Sequence, residues 1–170
     1  MIHIGLLTES LKCRSVFFMS ILPLTIQPNK ILRTISKDIP LTEMANYQAL
    51  GESMIETMIH NNGIGLAAPQ VGINLNLFVI SGEATEKGEH LVLCNPTITF
   101  QSATTHIMEQ GCLSCPTLFG DVRRPEKIRV KAYTLDGKKH VFKAKGLLAV
   151  VFQHEIDHLR GTLIIDKFEK

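Results

Sequence analysis

Near the end of the 170-residue chain, Gln153-His154-Glu155-Ile156-Asp157-His158 brings two imidazoles and two carboxylates close together. Around them Leu147, Leu148, Val150, Val151, Phe152, Ile156 and Leu159 recur at a spacing that predicts a helix from Gly146 to Arg160. On such a helix His154 and His158 lie one turn apart on the same face. Two imidazoles so placed can grip one metal ion. Glu155 falls beside the pair, where its carboxylate can take a proton from an activated water, the mechanical sense of a His-Glu-x-x-His helix. The competing reading is a pair of helix histidines whose spacing is coincidental.

A catalytic zinc-type site takes three protein ligands and leaves a position for water, so the helix needs a partner from elsewhere. Downstream, Asp166 and Glu169 lie on a short segment, Gly161 to Lys170, with little length to loop back. An upstream ligand is therefore expected. Gln110-Gly111-Cys112-Leu113-Ser114-Cys115-Pro116 offers a thiolate in a turn-like stretch bounded by Gly and Pro. Two other readings of these cysteines stay open. Cys112 and Cys115 with both histidines would make a closed Cys2His2 structural site without a water position, although the 38 residues between Cys115 and His154 exceed finger spacing. Alternatively Cys112-x-x-Cys115 is a redox pair, a motif that expects a thioredoxin-like βαβ pattern, and none is visible.

Three blocks together carry a resemblance. Gly63-Ile64-Gly65-Leu66-Ala67-Ala68-Pro69-Gln70-Val71-Gly72, Gly111-Cys112-Leu113-Ser114 and Gln153-His154-Glu155-Ile156-Asp157-His158-Leu159, in this order and spacing, resemble the peptide deformylases. Those are metal hydrolases that remove the formyl group from the N-terminal methionine of new proteins. Weaker matches at Pro28 to Arg33, Asn95-Pro96, Arg124, Gly161 and Asp166 extend the likeness from about Leu24 to the end. One position departs from the pattern. Where the family's second block begins with Glu directly before the Gly, this chain has Gln110, with Glu109 one position earlier.

The resemblance implies a site residue by residue. Cys112, His154 and His158 would hold one divalent metal, Fe2+ in the cell, with Zn2+, Ni2+ or Co2+ in purified protein, since affinity order alone does not decide occupancy. Glu155 would move the proton, while the Gln70 amide and the Leu113 backbone N–H would face the oxyanion. The Gly65 backbone would pair with the substrate chain, and Ile64, Val150 and Val151 would line the pocket for the methionine side chain. The implied partners are N-formyl-methionyl peptides and nascent chains near the ribosome, in the cytoplasm, with no nucleic-acid site and no membrane. The alternative function is an inactive or weakly active deformylase-like protein with a structural Cys2His2 metal site. With Gln110 outside the ligands and the proton path, an active but slower hydrolase is expected. From the residues alone, Gln70 reads as an ordinary surface amide, and no Lys-Ser/Thr follows the glycines to make a phosphate loop.

Composition sets the frame for these elements. With 45% hydrophobic and 20% charged residues and a net charge of +2, the chain reads as one ordinary globular domain. Neither the charge nor any Lys/Arg run interleaved with aromatics argues for nucleic acid. Cys13, Cys94, Cys112 and Cys115 do not make a disulfide framework, and a thiolate ligand needs a reducing compartment. The expected catalytic domain is 23–170, preceded by an N-terminal extension, 1–22. There Lys12 and Arg14 precede an apolar run, Val16 to Ile26, broken by Ser20 and Pro23. The run is short of the ~20 residues of a membrane span, lacks a small-residue cleavage pattern, and contains Met19 as a candidate natural start.

Met44, Tyr47, Met54, Ile55, Met58 and Ile59 predict a first helix from Thr42, as N-cap, to Asn62, stopped by Asn61, Asn62 and Gly63. Its methionine stripe reads as core. Irregular backbone is expected over Gly63 to Gly72. Leu75 to Ser81, Leu91 to Cys94 and Thr97 to Phe100 read as separate short strands, with a polar segment, Gly82 to His90, after the first. Lys127 to Thr134 and Lys139 to Ala144 flank Asp136-Gly137 as a hairpin. The sum is an α+β fold, antiparallel strands packed around the C-terminal His-Glu-x-x-His helix, with an N-terminal helix.

Overall fold

A computed structural model describes residues 20–169; the expected extension up to residue 19, including Met19 as a start, lies outside them. A five-stranded antiparallel sheet forms the frame, in the order β1 (Gly65–Ala67), β2 (Leu77–Ile80), β3 (Leu91–Gln101), β6 (Lys127–Tyr133), β7 (Lys139–Lys145). Between β3 and β6 the chain leaves the sheet as a separate hairpin, β4 (Thr105–Cys112) with β5 (Cys115–Pro125). One sheet face packs against α2 (Gly146–Leu159), burying Phe78, Ile80, Leu93, Val130 and Phe152. On the other face α1 (Gln48–His60) covers β1 and β2, and Met44, Met54 and Met58 are fully buried there with Leu66, Leu77 and Val79. The expected α+β architecture is therefore observed, with both helices where the apolar periodicity puts them. Among the described residues no helix is long and apolar enough to cross a membrane.

Three local expectations are corrected. Thr42 does not cap α1: Leu41–Tyr47 is a 3-10 turn entered from Pro40, and α1 follows it with Tyr47 at the cap and no side-chain cap bond. Pro40, with its fixed φ, sits at the cap of this turn, two residues before Thr42. Leu91 to Cys94 and Thr97 to Phe100 are one strand, because the register shift at Asn95-Pro96 is a bulge rather than a break. Asn95 sits at φ 49, and its side chain ties the bulge to Ile39 by accepting from its N–H at 2.9 Å and donating to its carbonyl at 2.8 Å. The stretch from Gly63 to Gly72 is less irregular than expected: Gly65–Ala67 is an edge strand, followed by a 3-10 turn, Ala68–Val71, that ends at Gly72 with φ 78.

The β4–β5 hairpin went unforeseen as a pair of long strands. Gly111, Pro116, Gly120 and Pro125 interrupt any apolar alternation, and most of its side chains are exposed or half-buried. Its ladder nonetheless runs from Thr105↔Pro125 to Gly111↔Phe119, and the turn Leu113–Ser114 joins Cys112 to its cross-strand partner Cys115.

Candidate metal centre

Helix α2 presents His154 and His158 on one side, with their Nε2 atoms 3.2 Å apart. The end of β4 brings Cys112 Sγ to 3.1 Å from His158 Nε2. One ligand atom from each of the three lies within 4.8 Å of the other two. Burial holds His154 down to about 4, and pushes His158 well below the usual imidazole range, so both rings are neutral at pH 7 and offer lone pairs. Burial also pushes the Cys112 thiol up to about 12, and neighbouring Glu155 adds to the rise. Two neutral imidazoles and a sulfur turned toward one point are the donor set of a divalent transition ion. The residues present fit such an ion.

Cys115 does not join this cluster. Its side chain is buried among Leu32, Val122, Leu163 and Ile164 instead. Among the described residues one sulfur, rather than two, faces the histidines, so the closed Cys2His2 arrangement is not favoured; nor does the redox-pair reading find a βαβ unit among their antiparallel strands.

Glu155 is buried and lines the cleft beside the cluster, and among the described residues its Oε2 has no hydrogen-bond partner. Burial first of all holds its carboxyl well above the usual range, opposed by the charge of Arg124. Its other oxygen lies against the backbone of β1: a Cβ on Gly65 would sit 2.8 Å from Glu155 Cδ and collide with Oε1. Only glycine leaves room there. Gln70 is not the surface amide its loop suggested, for it is 2% exposed. The 3-10 turn folds it back so that Oε1 accepts from Ala67 N–H at 2.8 Å, while Nε2 reaches Ser114 Oγ at 3.3 Å and Cys112 Sγ at 3.5 Å. The accepted bond orients the amide with its NH2 toward the sulfur.

A cleft of about 710 Å³ opens from this cluster between the β1 edge and the β4–β5 hairpin. Ile64, Gly65, Leu113, Val150 and Val151 all line it, together with Gln70, Cys112, His154 and Glu155. His158 lies behind, on the buried side of α2.

A buried contact behind the ligands has no signal in the linear pattern. Arg124, on β5 and 4% exposed, donates from Nε to Gln110 Oε1 at 3.0 Å and from Nη1 to Asp157 Oδ2 at 2.8 Å. It thereby fastens the hairpin that carries Cys112 to the helix that carries the histidines. Gln110 Nε2 and Arg124 Nη2 are both buried without a partner among the described residues. These three residues are adjacent only through strand register and the packing of hairpin on helix, so no spacing could announce them. Ser114, which meets Gln70, is hidden for the same reason.

Comparison with known proteins agrees with this geometry. Residues 21–170 match the polypeptide deformylase family profile. Peptide deformylase of Bartonella henselae is 42% identical over 149 residues, 87% of this chain and 84% of that protein. That of Rhizobium meliloti is 41% identical over 155 residues, 89% of this chain and 87% of that protein. Among solved structures, peptide deformylase from Thermotoga maritima superposes with a TM-score of 0.82 at 36% identity, covering 89% of this chain and 99% of that one. A Met-Ala-Ser-bound class I type b peptide deformylase from Acinetobacter baumannii also reaches 0.82, at 32% identity over 88% of this chain and 99% of that one. With the match running over nearly the whole chain, this chain belongs to the polypeptide deformylase family.

Proposed function

We propose a division of labour among the residues around the cleft. The chain is a metal-dependent hydrolase that removes the N-formyl group from the N-terminal methionine of newly made proteins and releases formate. Cys112, His154 and His158 hold one divalent ion, Fe2+ in the cell and Zn2+, Ni2+ or Co2+ when purified. When bound, such an ion supplies Lewis acidity and brings the pKa of water toward neutrality.

Glu155 accepts the proton of the attacking water and delivers it to the leaving amine, so that formamide and water become formate and a free amino terminus. Its burial keeps the carboxyl able to hold that proton between the two transfers. The Gln70 NH2 and the Leu113 backbone N–H donate to the oxygen that gains charge as water adds to the formyl carbon. The bond from Ala67 to Gln70 Oε1 keeps that NH2 aimed without reorganisation. Gly65, on the sheet's free edge, pairs its backbone with an extended substrate. Ile64, Val150 and Val151 receive the methionine side chain. The substrates are formyl-methionyl peptides and nascent chains near the ribosome, met in the cytoplasm; the peptide in the Acinetobacter baumannii relative supports a peptide in the cleft. Residues 23–170 are the catalytic domain, and 1–22 an extension, with Met19 a candidate start.

The convergence of one sulfur and two imidazole nitrogens beside Glu155 and Gln70 carries this reading. Its test is formate release from a formyl-methionyl peptide by protein reconstituted with Fe2+ or Ni2+, with metal content measured. Absence of formate at full occupancy overturns it.

A further inference from the structure

Far from the cleft, β6 and β7 end the sheet at the edge opposite β1. Ile128, Val130, Ala132 and Ala144 point from them into the core under α2, so the alternate residues point to the other face. Helix α1 packs over β1, β2 and, through Gly51, Val92 of β3, and among the described residues most of the β6–β7 part of that face is left uncovered.

That uncovered part carries Lys127, Arg129, Lys131, Lys139, Lys143 and Lys145, six of the chain's 18 Lys and Arg residues. Register sets Lys127 opposite Lys145 and Arg129 opposite Lys143. Like charges directly across an antiparallel pair destabilise it. None of the six forms an ion pair among the described residues. Of the acids at the ladder's ends, Asp136 in the β6–β7 turn pairs with Lys138 at 2.6 Å, Glu126 directly precedes Lys127, and Asp38, which shares a pocket with Lys131, accepts from Asn76 at 2.6 Å. On neighbouring β3, opposite Arg129, Phe100 is 46% exposed, and the Arg129 guanidinium lies 5.2 Å from its ring centroid. Each strand of seven residues spans about 23 Å at ~3.3 Å per residue.

We propose that this face binds the backbone of single-stranded nucleic acid, its cations meeting phosphates and the Arg129–Phe100 stack lying beneath a base. Arginine planes and aromatic rings on a sheet are platforms for unstacked bases, and a row of lysines supplies the sequence-independent electrostatic term. A lipid surface fits less well, because this face is a strand ladder and not the amphipathic helix that inserts among headgroups. Composition and charge runs conceal the site: the cations alternate with core residues on two strands, and only pairing collects them.

The test uses the full chain with labelled oligouridylate and, in parallel, oligodeoxythymidylate, followed by fluorescence anisotropy between ~50 and ~200 mM salt. Single strands release about 0.7 counterion per phosphate met, so three or more contacts predict a log–log salt slope of about −2 or steeper. Comparing the two oligomers shows whether RNA or DNA is preferred. Arg129→Glu with Lys143→Glu should cut affinity at least tenfold while turnover of a formyl-methionyl peptide stays at wild type. Lys127→Gln with Lys145→Gln, which relieves a like-charge pair, should keep the fold and flatten the slope by about 1.4. No binding at the lower salt, wild-type affinity in both double variants, or equal binding to phosphatidylserine vesicles overturns the proposal. Loss of turnover alone bears on the cleft and leaves this face standing.

Discussion

Helix α2 and the β4–β5 hairpin supply the two sides of one site by different physical means. On α2 the histidines need only the helical repeat to share a face, and the helix is buried along most of its length. The hairpin is a two-stranded ribbon with much of its surface in water, and such ribbons are marginal alone. Cys112 is therefore located by bonds between the ribbon and elements outside it: Arg124 to Asp157, Gln70 to Ser114 and Cys112, and the bridge from Val122 to Phe168. Changes behind the helix ligands should act on packing, whereas changes behind the hairpin ligand should act on the site itself.

The strongest test of the helix side is Glu155→Gln. The substitution leaves Cys112, His154 and His158 in place and nearly preserves shape, but removes the group that accepts the proton. General acid–base groups contribute about 10² to 10⁴ in rate, so turnover should fall by that range while metal content, read by atomic absorption, stays at wild type. Wild-type turnover with full occupancy would show that Glu155 is not the base.

The hairpin side is tested by its two cysteines. Cys112→Ser should lower metal affinity by more than the ~100-fold upper range of changes behind a ligand. Cys115→Ser should leave affinity close to wild type and lower thermal stability instead, since Cys115 belongs to the Leu32–Val122–Leu163 cluster. Equal metal loss in both variants would restore the closed two-sulfur site.

These outcomes bear on what the sequence could reveal. The histidine face of α2 and the β6–β7 hairpin were legible because a 3.6-residue period and an alternation around Asp136-Gly137 are local signals. The β4–β5 strands were not, since their glycines, prolines and exposed residues erase alternation, and their stability comes from pairing and from the clamp to α2. Thr42 failed as a cap because a proline two residues earlier had already set the turn. Gln70 looked exposed since its burial depends on a fold-back held by Ala67 and on Ser114 from the distant hairpin. Family likeness named residues that the fold brings together around one cleft, but only tertiary contacts say what each one touches.

Acidity separates the two sides more finely. Both helix imidazoles are already neutral at pH 7, since burial holds His154 near 4 and His158 well below its usual range, so above pH ~6.5 they contribute no proton to metal binding. The Cys112 thiol, raised to about 12, is protonated throughout and must lose its proton to become a ligand. Apparent metal affinity should thus rise about tenfold per pH unit between about pH 6.5 and 8. Titration calorimetry in buffers of different ionisation enthalpy should record at least one proton released per ion. No release would remove Cys112 from the ligand set, and the dependence should vanish in Cys112→Ser.

The smallest expected effect lies at Gln110, behind the hairpin ligand and in contact with Arg124. Among the described residues Arg124 is buried with one carboxylate partner, Asp157, and its Nη2 is without a bond, as is the Gln110 Nε2 nearby. Gln110→Glu would replace an unsatisfied donor by an oxygen beside a guanidinium short of acceptors. The Arg124–Gln110 bond already has one charged partner; a carboxylate makes both partners charged and offers Nη2 an acceptor, which favours the substitution by roughly 1 kcal/mol. Opposing it is the cost of burying a further carboxylate, several kcal/mol when the charge is unpaired. Here the guanidinium is already in place and already desolvated, so the attraction should win. A firmer clamp holds the Cys112 strand more tightly against α2 without altering the ligands. Since outer changes at metal sites act over about 10 to 100-fold, kcat/KM on a formyl-methionyl peptide should rise by about tenfold at most, with a higher Tm and unchanged metal content. A fall in both Tm and kcat/KM would mean that desolvation outweighs the new ion pair, and that this chain holds its hairpin best with a neutral amide at residue 110.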